Sequence, residues 1–407
     1  MEVIKGGVTE AKGFKAACTA AGIKYKGRTD MAMIYSEKPC VSAGCFTSNV
    51  VKAAPVLWDK KVVSESEYAE AVVINAGIAN ACTGEEGLSY CDKTAECAGE
   101  ALGIPKDSVL VASTGVIGMQ LPIDRICNGT KELAKNLSDT TEAGHSAALA
   151  IMTTDTKEKE VAVTIELSGK KVTIGGMCKG AGMIHPNMCT MLSFITTDVS
   201  IDKKMLDEAL HEDVKDTYNM ITVDGDTSTN DTVVVLANGL AENVKITEKN
   251  EDYKTFCEAL HFVNETLAKK MAADGEGATK LFEAKVVNAK SKEDAKTLAR
   301  AIVGSNLSKA AIFGCDANFG RFLCAMGYSG AMFDQNDVEL FFCSINGKIE
   351  VFKKGVPLHF DEDEALSIMK ADAVTVYVDM HEGNSSATAW GCDLTYDYVK
   401  INADYRS

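Results

Sequence analysis

The residue with the most chemistry to offer is Thr190. It lies in residues 179–198, KGAGMIHPNMCTMLSFITTD, where a Gly-rich approach leads through Pro186-Asn187 into the apolar run 191–195. A self-cleaving chain would place its nucleophile at such a loop-to-strand boundary, behind a small residue. Cleavage between Cys189 and Thr190 would leave a free α-amine beside the threonine hydroxyl, and that amine can take the hydroxyl proton. A backbone amide cannot. Free α-amines titrate at about 7.7–8.0, which suits a general base near neutrality. The structural reading of the same residue is a threonine opening a buried strand, as β-branched residues often do. On spacing alone that is the ordinary reading.

Several separated stretches change the balance. KGAGM is followed by Thr190-Met191-Leu192 and by a strand ending in Thr197-Asp198. In chain order there are also STGVIG (113–118), MTTDT (152–156), TVDGDTSTND (222–231), DGEGATK (274–280), ANFGR (317–321), GYSG (327–330) and INADYRS (401–407). Their order and joint presence resemble the ornithine acetyltransferase family of arginine biosynthesis, also called glutamate N-acetyltransferases. The resemblance covers nearly the whole chain. One departure is Cys189, which stands where the family usually has Ala; both are small, so cleavage is expected to survive.

The resemblance implies a set of roles. Thr190 is the nucleophile and supplies its own base. Thr114 and Gly115 form the oxyanion hole; without the resemblance, Ser-Thr-Gly reads as a plain turn. Lys179 pairs with a substrate carboxylate rather than with solvent. Glu276 holds a cationic amine or passes a proton to the leaving group. Thr153 contacts substrate, with Thr154 its near rival. Asn402 and Ser407 bring the C-terminal tail into the pocket. The reaction implied moves an acetyl group from N2-acetyl-L-ornithine to L-glutamate through acetyl-Thr190. It needs no metal and no bound cofactor, and acetyl-CoA is an alternative donor in some members. The fragments implied are 1–189 and 190–407, intertwined as one catalytic unit, with a heterotetramer of two of each. Two rival classes remain open: an N-terminal-nucleophile hydrolase or aminopeptidase, and an uncleaved non-catalytic amino-acid-binding protein.

Other groups are read as structural. His185, five residues before Thr190, is a loop histidine. Asp224, Asp226 and Asp231 do not have calcium-loop spacing and read as Asx-rich turn structure. Residues 314–321, GCDANFGR, lack the Lys-Ser/Thr of a phosphate loop. The fourteen cysteines are scattered from Cys18 to Cys392 without a C-x-x-C pair, several of them (Cys315, Cys324, Cys343) in apolar runs. They read as reduced core thiols rather than disulfides or zinc ligands.

Bulk properties set the limits. The formal net charge of −16 argues against a nucleic-acid partner. The first residues lack a signal-peptide pattern, no apolar run reaches membrane-spanning length, and the cytoplasm is the expected location. With 46% hydrophobic and 25% charged residues, the composition is that of an ordinary globular protein.

The elements that must hold these residues alternate between strand and helix. Strands are expected at 71–75, 108–112, 161–166, 171–174, after Thr190, and at 232–236. Helices are expected at 92–102, 124–137, 142–152, 203–218, 253–273 and 364–370. Ser168-Gly169 and Asn346-Gly347 mark hairpin turns, and the chain from Val374 onward reads mostly as strand. The fold class is α/β or α+β, a layered sandwich of mixed sheets flanked by helices. No linker or short repeat is present.

Overall fold

The computed structural model describes residues 1–185 and 191–404. They divide into two compact units. The first comprises Met1–Gly180, Asn187–Tyr218 and Thr227–Leu267; the second comprises Ala181–Pro186, Asn219–Asp226 and Ala268–Ser407. Both units therefore draw on chain from either side of residue 190. The mixed α/β class expected from sequence is what the structure has: each unit carries one mixed sheet with helices against it.

The first unit is built on a nine-stranded sheet. Along it run Glu2–Ile4, Lys159–Leu167, Lys170–Lys179, Leu192–Thr197, Thr232–Ala237, Met31–Phe46, Ala69–Ile78 and Val109–Val116. Phe14–Thr19 adds to the first half of Met31–Phe46. The long strand changes partners: residues 41–46 pair with Thr232–Ala237, whereas residues 31–35 pair with Ala69–Ile78. Two neighbouring pairs are parallel, Leu192–Thr197 with Thr232–Ala237 and Ala69–Ile78 with Val109–Val116. Each needs a crossover, supplied by the helices Lys203–Val214 and Gly84–Leu102. Runs such as AVVIN and TVVVLA are buried on both faces, as strands of this kind require. Ser168 and Gly169 both take positive φ, +48° and +76°, and close the expected hairpin.

Val109–Val116 forms the edge of this sheet, and the helix Ala54–Glu65 covers it. Trp58 Nε1 donates to the Val109 carbonyl at 2.9 Å, and the Val111 amide donates to Asp59 Oδ1 at 2.8 Å. An edge strand whose backbone groups are capped in this way is closed to further pairing.

The second unit carries a seven-stranded sheet, ordered Val356–Pro357, Gly347–Lys353, Glu339–Ser344, Ala373–Asp379, Leu281–Ala289, Ser385–Cys392 and Ile221–Thr222. Phe322 stands edge-on to Phe282 and Phe342, at 6.0 and 5.3 Å between ring centres, and ties the helix Phe319–Gly327 to the sheet.

The structure corrects several expectations. The strand expected at 108–112 runs to Val116, so Thr114 and Gly115 lie within its last three residues rather than in a turn beyond it. The hairpin between Glu339–Ser344 and Gly347–Lys353 turns on Ile345 and Asn346, with Gly347 already paired to Ser344. The C-terminal region is not strand throughout: Tyr396–Ala403 is helical. The buried thiols are Cys40, Cys45, Cys91, Cys178 and Cys392, whereas Cys324 is exposed and Cys315 and Cys343 are half-buried. All of the described cysteines are free. Among the described residues, no helix is long and apolar enough to cross a membrane.

Candidate active site

The described residues nearest Thr190 in the chain are held by the central parallel pair. Leu192 is in register with Thr232, and the Thr232 amide donates to the Met191 carbonyl at 2.9 Å. Asp231, one residue earlier, is 1% exposed. Among the described residues, no hydrogen bond of ordinary geometry reaches either of its oxygens. Burial pushes its carboxyl well above the usual range; Thr47, the Met191 amide, Ser228 and the Lys179 charge pull the other way without reversing it. A buried carboxyl thus lies beside the start of the strand that follows Thr190.

The end of Val109–Val116 is built from close backbone packing. Gly115 has φ +129° and is in register with Gly77, whose φ is +112°. A Cβ on Gly115 would run into the Gly77 backbone. This position therefore requires glycine for packing as well as for its backbone angle. Ser113 Oγ donates to Asn75 Oδ1 at 2.6 Å, and Asn75 Nδ2 donates to the Ile78 carbonyl at 2.9 Å. Thr114 sits between these fixed neighbours at the strand's end.

Two expected residues, Thr153 and Lys179, meet at a third that sequence reading left unassigned. Asp155 accepts from the Thr153 amide at 3.0 Å and from the Gly180 amide at 2.7 Å. It also accepts from Lys159 Nζ at 2.8 Å, and Lys179 Nζ lies 3.7 Å from its other oxygen. Burial works against the Asp155 charge, but Lys179 and Lys159 outweigh it and hold the carboxyl far below the usual carboxylate range. Lys159 is 1% exposed and Lys179 8%. Two ammonium groups therefore meet at this buried carboxylate. Asp155 had two visible signals: its place in MTTDT, and a lysine four residues on. Arg28 braces the same turn, its Nη2 donating to the Met152 carbonyl at 2.5 Å.

In the second unit, the Gly-rich approach and the DGEG loop form one structure. The Glu276 amide donates to the Ala181 carbonyl at 2.8 Å. The Glu276 carboxylate fills the space a Cβ on Gly182 would need, which is why residue 182 has no side chain. Glu276 is 6% exposed. Asn402 Nδ2 donates to Glu276 Oε2 at 2.7 Å, so these two expected residues are brought together. The helix carrying Asn402 starts at Thr395, whose hydroxyl donates to the Gly277 carbonyl at 2.7 Å and accepts from the Tyr398 amide.

Of the aspartates read as Asx-turn structure, Asp224 behaves so, whereas Asp231 makes no turn hydrogen bond with the described residues. Asp224 accepts from the Met183 and Ile184 amides at 2.5 and 2.9 Å, and from Asp226 N at 3.2 Å, folding the loop as an Asx turn. His185 Nδ1 is 3.1 Å from Thr222 Oγ1. Burial, with the nearby Arg300, lowers its pKa. Asp198, of the Thr-Asp pair, accepts from the Thr173 and Lys12 amides and pins the end of Leu192–Thr197. Cys189, Thr190 and Ser407 lie outside the described residues.

A profile of the ArgJ family matches residues 15–407. Over 400 residues the chain is 53% identical to the arginine biosynthesis bifunctional protein ArgJ 1 of Clostridium acetobutylicum, covering 98% of this chain and 97% of that one. It is 50% identical over 407 residues to the arginine biosynthesis bifunctional protein ArgJ of Caldanaerobacter subterraneus subsp. tengcongensis, covering both chains fully (100% each). The chain belongs to the ArgJ family. It is an acetyltransferase of arginine biosynthesis that acts on small molecules. Among solved structures, ornithine acetyltransferase of Mycobacterium tuberculosis, determined with ornithine, is 40% identical over 47% of this chain and 98% of that one, with a TM-score of 0.43. Family membership agrees with the motif reading. Sequence reasoning missed Asp155, Lys159 and Asn230; the last is buried behind Thr114 and is taken up below.

Proposed function

We propose that this chain transfers an acetyl group from N2-acetyl-L-ornithine to L-glutamate through an acetyl-Thr190 intermediate. Cleavage before Thr190 exposes the α-amine that removes the Oγ proton. Oγ attacks the acetyl carbonyl, and the Thr114 hydroxyl and Gly115 amide donate to the oxyanion. As the tetrahedral species collapses, the proton on the Thr190 amine goes to the departing ornithine nitrogen. Glutamate then attacks acetyl-Thr190, its amine loses a proton to the same base, and that proton passes to Thr190 Oγ as the C–O bond breaks. One amide replaces another, so the free-energy change is small and the chemistry needs no metal or bound cofactor.

The observation that carries this reading is the Asp155 cluster. Two lysine ammoniums meet there nearly dry, and a buried charge is costly unless opposite charge meets it. An amino-acid carboxylate, common to both proposed substrates, is the anion that fits. In the second unit, Glu276 offers a carboxylate for a cationic amine, with Asn402 orienting one oxygen and Ser407 following in the tail.

The proposal includes acetyl-CoA as a second donor to glutamate, a heterotetramer of two 1–189 and two 190–407 fragments, and a cytoplasmic location. A denaturing gel with N-terminal sequencing tests its basis. Two fragments are expected, one beginning Thr-Met-Leu-Ser, and Thr190→Ala should give a single band and no transfer. Normal turnover by that variant would end the assignment. Release of acetate from acetylornithine regardless of glutamate would show a hydrolase instead.

A further inference from the structure

We infer that Asn230 is the positioning residue for the oxyanion donors Thr114 and Gly115. The inference rests on the oxyanion role proposed above and goes beyond it, since nothing in the motif reading gave Asn230 a task. Asn230 is buried in the first unit. Its amide nitrogen donates to the Ala79 carbonyl at 2.6 Å and to the Ser113 carbonyl at 2.8 Å. Those carbonyls belong to the ends of two neighbouring parallel strands, Ala79 just past Ala69–Ile78 and Ser113 within Val109–Val116. Its amide oxygen accepts from Thr229 Oγ1 at 2.6 Å, which turns the nitrogen toward both carbonyls.

The consequence follows from peptide planarity. Fixing the Ser113 carbonyl fixes the whole Ser113–Thr114 plane and, with it, the Thr114 Cα. The next plane, Thr114–Gly115, is held from the other side by the Gly77 backbone. Thr114 therefore stands between two anchors, and both proposed donors, its hydroxyl and the Gly115 amide, take their direction from them. An oxyanion donor must sit where the charge develops, and small misplacements are expensive in rate. The amide at 230 suits the task because one nitrogen serves two carbonyls at once. Aspartate has the same shape but would set oxygen against oxygen at both.

The test is kcat and KM for acetyl transfer from acetylornithine to glutamate, measured on the cleaved enzyme, for Asn230→Asp, Thr114→Ala and the double variant. Asn230→Asp should lower kcat about 10²-fold, the scale of a lost oxyanion donor, with KM within about threefold. The double variant should fall short of the product of the two losses by at least about tenfold, because a donor that is gone cannot be misplaced. Parental kcat in Asn230→Asp, or losses that multiply in full, would overturn the inference. Parental turnover by Thr114→Ala would instead overturn the oxyanion reading itself. Should Asn230→Asp fail to fold, Thr229→Val keeps the amide but removes the hydroxyl that orients it. It should lose about tenfold in kcat, and a parental value would overturn the inference equally.

Discussion

At the scale of single residues, the proposed capture of a substrate carboxylate rests on Lys179 beside Asp155. Lys159 lies 2.8 Å from Asp155 and Lys179 3.7 Å. Replacing Lys179 with Met would remove the ammonium proposed to meet a substrate carboxylate. The expected result is a rise of about tenfold in KM for acetylornithine with kcat within about threefold, the pattern of lost ground-state binding. Unchanged KM in steady-state assays would show that the Lys179 ammonium binds no substrate. This part of the site was half legible. Lys179 and Thr153 stood in recognisable motifs, whereas Asp155 drew no notice because a lone aspartate in a polar run looks solvated. Its burial depends on two segments, residues 152–159 and the strand Lys170–Lys179, meeting in space. The same holds for Asn230, whose two carbonyl partners are remote in the chain at Ala79 and Ser113.

At the scale of elements, the strand that carries Thr114 depends on the helix beside it. Asp59 is fully buried and spends one oxygen on the Val111 amide, while the other has no partner among the described residues. Burial raises its pKa well above the carboxylate range, only partly offset by that amide. The sign is fixed by linkage: as pH rises above about 4, the unfolded chain gives up this proton and the fold keeps it, so stability falls with rising pH. Asp59→Asn keeps an oxygen for Val111 and loses the titration. Its stability relative to the parent should therefore grow between pH 5 and 8, by up to about 1.4 kcal/mol per pH unit. Urea unfolding across that range checks it, and a difference that stays flat with pH would contradict the account. Elements with strong apolar runs or a clear turn, such as Ala69–Ile78 and the Ser168-Gly169 hairpin, were readable. Tyr396–Ala403 was not. Its YDYVKINA is poor in strong helix formers, and the helix stands on its Thr395 cap and its docking against Gly277 and Glu276. Ile345-Asn346 was misplaced by one residue because Asn-Gly suggested a two-residue turn, whereas Gly347 serves the strand at φ +144°.

At the scale of the whole molecule, the order of strands explains how a broken chain can remain one protein. In the nine-stranded sheet, Leu192–Thr197 and Thr232–Ala237 lie between Lys170–Lys179 and Met31–Phe46. Segments from both sides of residue 190 thus share ladders on two flanks, and a cut there frees neither. The measurement that tests the central claim most directly is mass analysis of the native protein after acetylornithine is added without glutamate. Isolated by size under native conditions, then denatured, the protein should yield both fragments from one peak. The fragment beginning at Thr190 should carry the mass of one acetyl group, lost again when glutamate is supplied. An active enzyme that stays a single unbroken polypeptide, or a Thr190 fragment that never gains the acetyl group, would contradict the account.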